Sequence, residues 1–128
     1  MARFLSHVLR KVEEQRQKAA PCIDHLAWLV ETEGCRILHL GDAIVAAGEF
    51  ERFPWLPGLE VDIAFIPYWF LLRSGGVDVI NRLISPKAVV LMHWNRWNRD
   101  SVVEELDRFR EDLPPTTIFN EAFETKRF

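Results

Sequence analysis

The chain has 128 residues, 48% of them hydrophobic and 27% charged, the size and composition of one globular domain with a single core rather than two. Sixteen Lys and Arg against nineteen Asp and Glu give a net charge of -3, so no global basic field draws it to nucleic acid or an anionic membrane. No apolar stretch approaches the ~20 residues that span a bilayer, since even Val61 to Leu72 is short and interrupted by Pro67.

In chain order, Arg3 to Leu9 reads as a strand, followed by a charged run from Arg10 to Lys18 that predicts a solvated loop or short exposed helix. Ile23 to Glu31 and Cys35 to Leu40 are β-rich runs, and the glycine of Glu31-Thr32-Glu33-Gly34 suits a tight reversal, which predicts a hairpin. Gly41-Asp42 ends the second strand, and Ala43 to Phe53 is expected to turn into helix before Pro54, Pro57 and Gly58 stop it. Val61 to Pro67 and Ala88 to Met92 are apolar with little alternation, as in strands covered on both faces. Between them Val77, Ile80, Leu83 and Ile84 recur at helical spacing, which predicts a crossover helix and a parallel pair. Ser101 and Glu104 offer a capping box for a helix with Val102, Val103, Leu106 and Phe109 on its apolar stripe, ended by Leu113-Pro114-Pro115. Thr116 to Asn120 is a last short strand. Cys22 and Cys35 lack C-x-x-C spacing, and no signal-like apolar segment follows Met1, which predicts buried free thiols in a cytoplasmic protein, with a disulfide across the hairpin as the alternative.

Four features then occur in one order. They are the hairpin Leu26-Ala27-Trp28-Leu29-Val30-Glu31 into Arg36-Ile37-Leu38-His39-Leu40, Gly41-Asp42 at its end, the strand Val61 to Pro67, and Ser85-Pro86-Lys87 leading through Ala88 to Met92 into His93. This succession resembles the metallo-β-lactamase superfamily, in particular its ascorbate-phosphate-lactonase-like branch, over roughly residues 22 to 95. The resemblance implies an α/β (α+β) fold across residues 1–128 as a single domain: the C-terminal half of an αββα sandwich, one mixed sheet with helices on one face. It also implies that Asp42 stands where the family has a metal-bridging aspartate and His93 where it has a metal-ligating histidine, with His7 or His25 as the upstream ligand. The family's H-x-H-x-D-H signature is absent.

That absence decides the functional expectation. In the family, two metals polarise the substrate and activate a shared hydroxide. Asp42, His93 and one of His7 or His25 would be remnants of two incomplete sites, so the expectation is a truncated domain without hydrolytic activity and without a cofactor, with zinc, manganese or iron as the ion if the remnant binds one. The alternative is a metal-dependent hydrolase of a lactone, ester or phosphodiester, completed by an oligomer or a separate N-terminal half. Other roles suit the same residues: Asp42 as a helix cap, His93 as a strand-end histidine bonded to backbone, and His39, on the strand face opposite Leu38 and Leu40, as structural. Trp69, Trp94, Arg96 and Trp97 fall where a substrate pocket or an interface would lie. The loop Trp94 to Arg99 also interleaves aromatics and cations in a way that could bind single-stranded nucleic acid, a partner that the acidic balance argues against.

Half a sandwich has helices on one face of its sheet and an apolar inner face with nothing over it. Self-association is the simplest remedy, so a homodimer or higher even oligomer with an apolar interface above roughly 2,000 Å² is expected, and no membrane partner.

Overall fold

The computed structural model describes residues 3–4, 27–45, 48–121 and 124–128. They form an α/β domain around one mixed sheet of six strands that lie in sequence order. β1 is Arg3–Phe4, β2 Trp28–Thr32, β3 Cys35–His39, β4 Ile63–Pro67, β5 Ala88–Met92 and β6 Thr116–Thr117. The first three strands are antiparallel neighbours, whereas β3, β4, β5 and β6 run parallel. The expected hairpin is present: Thr32 pairs with Cys35, which leaves Glu33 and Gly34 as a two-residue turn with Gly34 at φ 75°.

Each parallel step needs a crossover. After β4 come two helices, α1 at Trp69–Leu72 and α2 at Gly76–Asp78, the latter continuing as a wider π-helical turn over Val79–Ile84. Ser85 N–H closes that turn on the Ile80 carbonyl at 2.8 Å, five residues back. After β5 comes α3 at Arg99–Phe109, and among the described residues after β3 come two short 3₁₀ turns, Phe50–Arg52 and Pro57–Leu59. Because the strands step in one direction and such crossovers are right-handed, all three connections fall on one side of the sheet.

The packing agrees. The core gathers Leu29, Leu38, Leu40, Ala64, Ile66, Val89, Leu91 and Ile118 from the strands and their extensions with Phe70, Ile80, Ile84, Val102 and Leu106 from the helical connections. The strand members pair across the sheet as Leu29, Leu38, Ala64 and Val89, then Ile66 and Leu91, so they share one face. The opposite face carries two rows that also run strand to strand. One is Trp28, His39, Phe65, Val90 and Thr117, and the other is Val30, Ile37, Ile63 and Ala88. Val90 is only 2% exposed yet lies outside the core cluster, and Trp28 is 39% exposed.

Several expectations are corrected. No helix starts at Ala43: residues 43–45 are irregular, Gly48 takes φ 74°, and among the described residues only Phe50–Arg52 winds before Pro54. α3 begins two residues before Ser101, with Asn98 in the cap position, so Ser101 and Glu104 form no capping box. Cys35 is a free thiol and half-buried rather than buried. β6 is shorter than Thr116 to Asn120. The charged run from Arg10 to Lys18, the start of the hairpin at Ile23, and Cys22 lie outside the described residues. Among the described residues no helix is long and apolar enough to cross a membrane.

Candidate functional site

The parallel strands β3, β4 and β5 end side by side, and the loops leaving them form the carboxyl edge, where open α/β sheets commonly bind ligands. Gly41-Asp42 leaves β3, Tyr68-Trp69 leaves β4 and His93-Trp94 leaves β5. Residues 52 positions apart meet there: His93 Nε2 lies 2.8 Å from the Gly41 carbonyl oxygen. A carbonyl only accepts, so His93 donates from Nε2. From the other side Gly41 N–H donates to His39 Nδ1 at 3.0 Å, which requires that nitrogen to be bare. Gly41 is thus held between two imidazoles, at φ 60°, a conformation where glycine has no Cβ to strain. His93 itself sits at φ 67° at the strand's end.

Aromatic rings complete the edge. Trp69 Nε1–H donates to the Ala43 carbonyl at 2.8 Å, and its ring lies 5.1 Å from that of His93, centroid to centroid. His39 stacks on Phe65 at 5.7 Å with 20° between the planes. Burial, and then the charge of His93, push the His39 imidazole below its ordinary value, in keeping with a neutral ring whose Nδ1 must accept. Trp94 turns inward: it packs against the core and donates from Nε1 to the Leu91 carbonyl at 3.2 Å. Trp97 turns outward, 81% exposed, with the Arg96 guanidinium 4.3 Å above its ring. The turn between them is fixed by Asn95 and Asn98. Asn95 N–H donates to Asn98 Oδ1 at 2.7 Å, and Trp97 N–H donates to Asn95 Oδ1 at 2.8 Å.

The sequence-derived site residues therefore divide. Asp42, His93 and Trp69 share the carboxyl edge, Arg96 and Trp97 stand as an exposed pair on the next loop, and Trp94 belongs to the core. His7 and His25 lie outside the described residues. Asp42 caps no helix, since none begins there. His39, expected only to be structural, braces the turn and Gly41 is the residue braced, and both are central. The alternation that turns His39 away from Leu38 was readable, whereas its bond to Gly41 was not.

Among the described residues no group of three or more His, Cys, Asp and Glu is arranged to hold a metal ion. His93 spends Nε2 on a carbonyl, and His39 spends Nδ1 on a backbone N–H. The described donors do not fit the two-metal cage that the resemblance implies, and they serve instead to fix the Gly41 turn. No protein-family model matches the chain.

At the opposite, amino edge lies a shallow groove of about 680 Å³ between the hairpin and the start of β5, lined in part by Cys35, Arg36, Asp62 and Lys87. Its charges are mutually satisfied. Lys87 Nζ donates to Asp62 Oδ1 at 2.6 Å, Arg36 N–H donates to Asp62 Oδ2 at 2.8 Å, and the Arg36 guanidinium reaches Glu31 Oε1 at 3.0 Å and the Leu59 carbonyl at 2.9 Å.

Proposed function

We propose that this chain is a metallo-β-lactamase-like half-domain, without hydrolytic activity of its own, that acts as a self-associating module through the face of its sheet opposite the helices. The observation that carries the reading is the one-sidedness of the core. Every strand residue in the core cluster lies on the helical face, while Trp28, Val30, Ile37, Ile63, Phe65 and Val90 form an apolar layer on the other. Within that layer Trp28 is 39% exposed, Val30, Ile37, Ile63 and Phe65 are half-buried, and Val90 is buried.

A second copy is the occupant that the geometry favours. The layer is apolar, and a two-fold axis would let two identical sheets stack on one another. The resulting stack would have the two-sheet interior that the family resemblance implies. The braced Gly41 turn supports the non-hydrolytic part, because its histidines are engaged by backbone.

Two measurements test the reading. Light scattering on the purified chain is expected to give at least twice the monomer mass of 15.0 kDa, and a monomer at all accessible concentrations would overturn self-association. Elemental analysis is expected to find no stoichiometric metal. Zinc, manganese or iron bound one per chain and lost in Asp42→Ala would overturn the non-hydrolytic assignment.

A further inference from the structure

The loop after β5 holds two tryptophans in opposite settings. Trp94 is anchored in the core, whereas Trp97, three residues on, is the most exposed of the large apolar side chains described, at 81%. The loop holds it there. Trp97 N–H and Asn98 N–H both donate to Asn95 Oδ1, at 2.8 and 3.2 Å, and the Asn98 carbonyl accepts from Val102 N–H at 3.0 Å in the first turn of α3. Arg96 is exposed as well and lays its guanidinium 4.3 Å over one face of the Trp97 ring, which leaves the other face to solvent.

The charge of Arg96 is also unspent. Arg36, Arg82, Arg99, Arg108 and Arg110 are each engaged by a carboxylate. Among the described residues, neither a carboxylate nor a carbonyl accepts from the Arg96 guanidinium. We propose that the Arg96–Trp97 pair binds a mononucleotide, with the base stacked on the open face of Trp97 and the phosphate held by the Arg96 guanidinium.

Both halves of such a ligand find their complement. A base is a flat π surface that stacks on an exposed indole. A guanidinium is weakly hydrated, lies flat on aromatic rings and donates parallel N–H bonds to phosphate oxygens, so its plane can stay on the indole while its edge takes the anion. An aliphatic anion would leave the ring unused, and an uncharged aromatic would leave Arg96 unused. The bonded turn sets the Trp97 backbone before any ligand arrives, which lowers the ordering that association costs. Charge then limits the ligand's length. One unpaired guanidinium matches one phosphate, and a net charge of -3 disfavours a long strand, whose affinity comes from many phosphate contacts.

Titration of the full chain with adenosine monophosphate tests this, read from the tryptophan indole N–H signals in a nitrogen–proton correlation spectrum. The Trp97 signal is identified as the one lost in Trp97→Leu. It is expected to move saturably with a dissociation constant of about 1 mM, the strength of one stack and one charged contact. The Trp94 signal, held on the Leu91 carbonyl, should stay in place. Adenosine and ribose 5-phosphate, which each carry half of the ligand, are expected to bind at least about tenfold more weakly. Arg96→Gln should weaken adenosine monophosphate at least about tenfold, with the other indole signals unmoved as the sign of a folded chain. A Trp97 signal unchanged at about 10 mM adenosine monophosphate would overturn the site. Undiminished affinity in Arg96→Gln would overturn the phosphate contact, and ribose 5-phosphate binding as well as the nucleotide would overturn the stack. A pentadeoxyadenylate strand that binds at least about tenfold tighter than the monophosphate would assign the pair to single-stranded nucleic acid and overturn the mononucleotide.

Discussion

Gly76 opens α2 where the chain doubles back on α1, and a Cβ there would overlap the Phe70 carbonyl oxygen, a backbone atom that cannot swing aside. Phe70 is fully buried, so neither partner has slack to yield. Gly76→Ala is therefore expected to destabilise the fold by about 3 kcal/mol, lowering Tm by roughly 10 °C. Gly58, where an added Cβ meets nothing within 4 Å, is the control. Gly58→Ala should change stability by less than about 1 kcal/mol in a thermal melt. If the two variants melt together, the close approach of α1 and α2 is not a tight constraint. The same discipline of a single residue governs Gly41, whose N–H and carbonyl are bonded to different histidines from different strands.

At the scale of elements, the amino edge is tied by one carboxylate. Asp62 accepts from Lys87 of the β5 approach and from the backbone of Arg36 on β3, and Arg36 in turn reaches Glu31 on β2. The Lys87 ammonium first, and then the Arg36 N–H, hold the Asp62 carboxyl below its ordinary value of 3.8. A carboxyl lowered on folding stabilises the native state above its unfolded pKa, and that contribution is lost as pH falls through the folded one. Asp62→Asn should therefore flatten the acid limb of the stability curve below about pH 4, measured by urea unfolding as pH is lowered. An acid limb identical to that of the unmodified chain would show that the network contributes nothing. These elements were legible to different degrees. β4 and β5 announced themselves by unbroken apolar runs, and the hairpin by Gly34, because burial and turn chemistry are written locally. The helix expected over Ala43 to Phe53 did not form, since Gly48 at φ 74° and Pro54 leave too few residues for a nucleus. The histidine brace was invisible because it needs β3 and β5 to finish on either side of β4, a consequence of strand order rather than of any residue's neighbours in sequence.

For the whole molecule, the decisive property is that adjacent residues of β4 face different worlds. Ile66 is fully buried in the core beneath the helices, while Phe65, one residue earlier, stacks on His39 in the opposite layer. Alternation along one strand thus sets a core residue beside one on the opposite face within a single peptide unit. A Lys at position 66 would bury an unpaired ammonium in the only described core, so Ile66→Lys is expected to unfold the chain, read as loss of the far-UV signal. At position 65, which is half-buried on the face opposite the helices, a Lys can extend its ammonium to water, but could not do so with a second sheet stacked on it. Phe65→Lys should accordingly keep the fold, lose at most about 2 kcal/mol of monomer stability, and weaken self-association by at least about 100-fold in sedimentation equilibrium. Were Phe65→Lys to unfold as completely as Ile66→Lys, residues of the chain itself would have to cover that face, and a second copy would have no sheet left to meet.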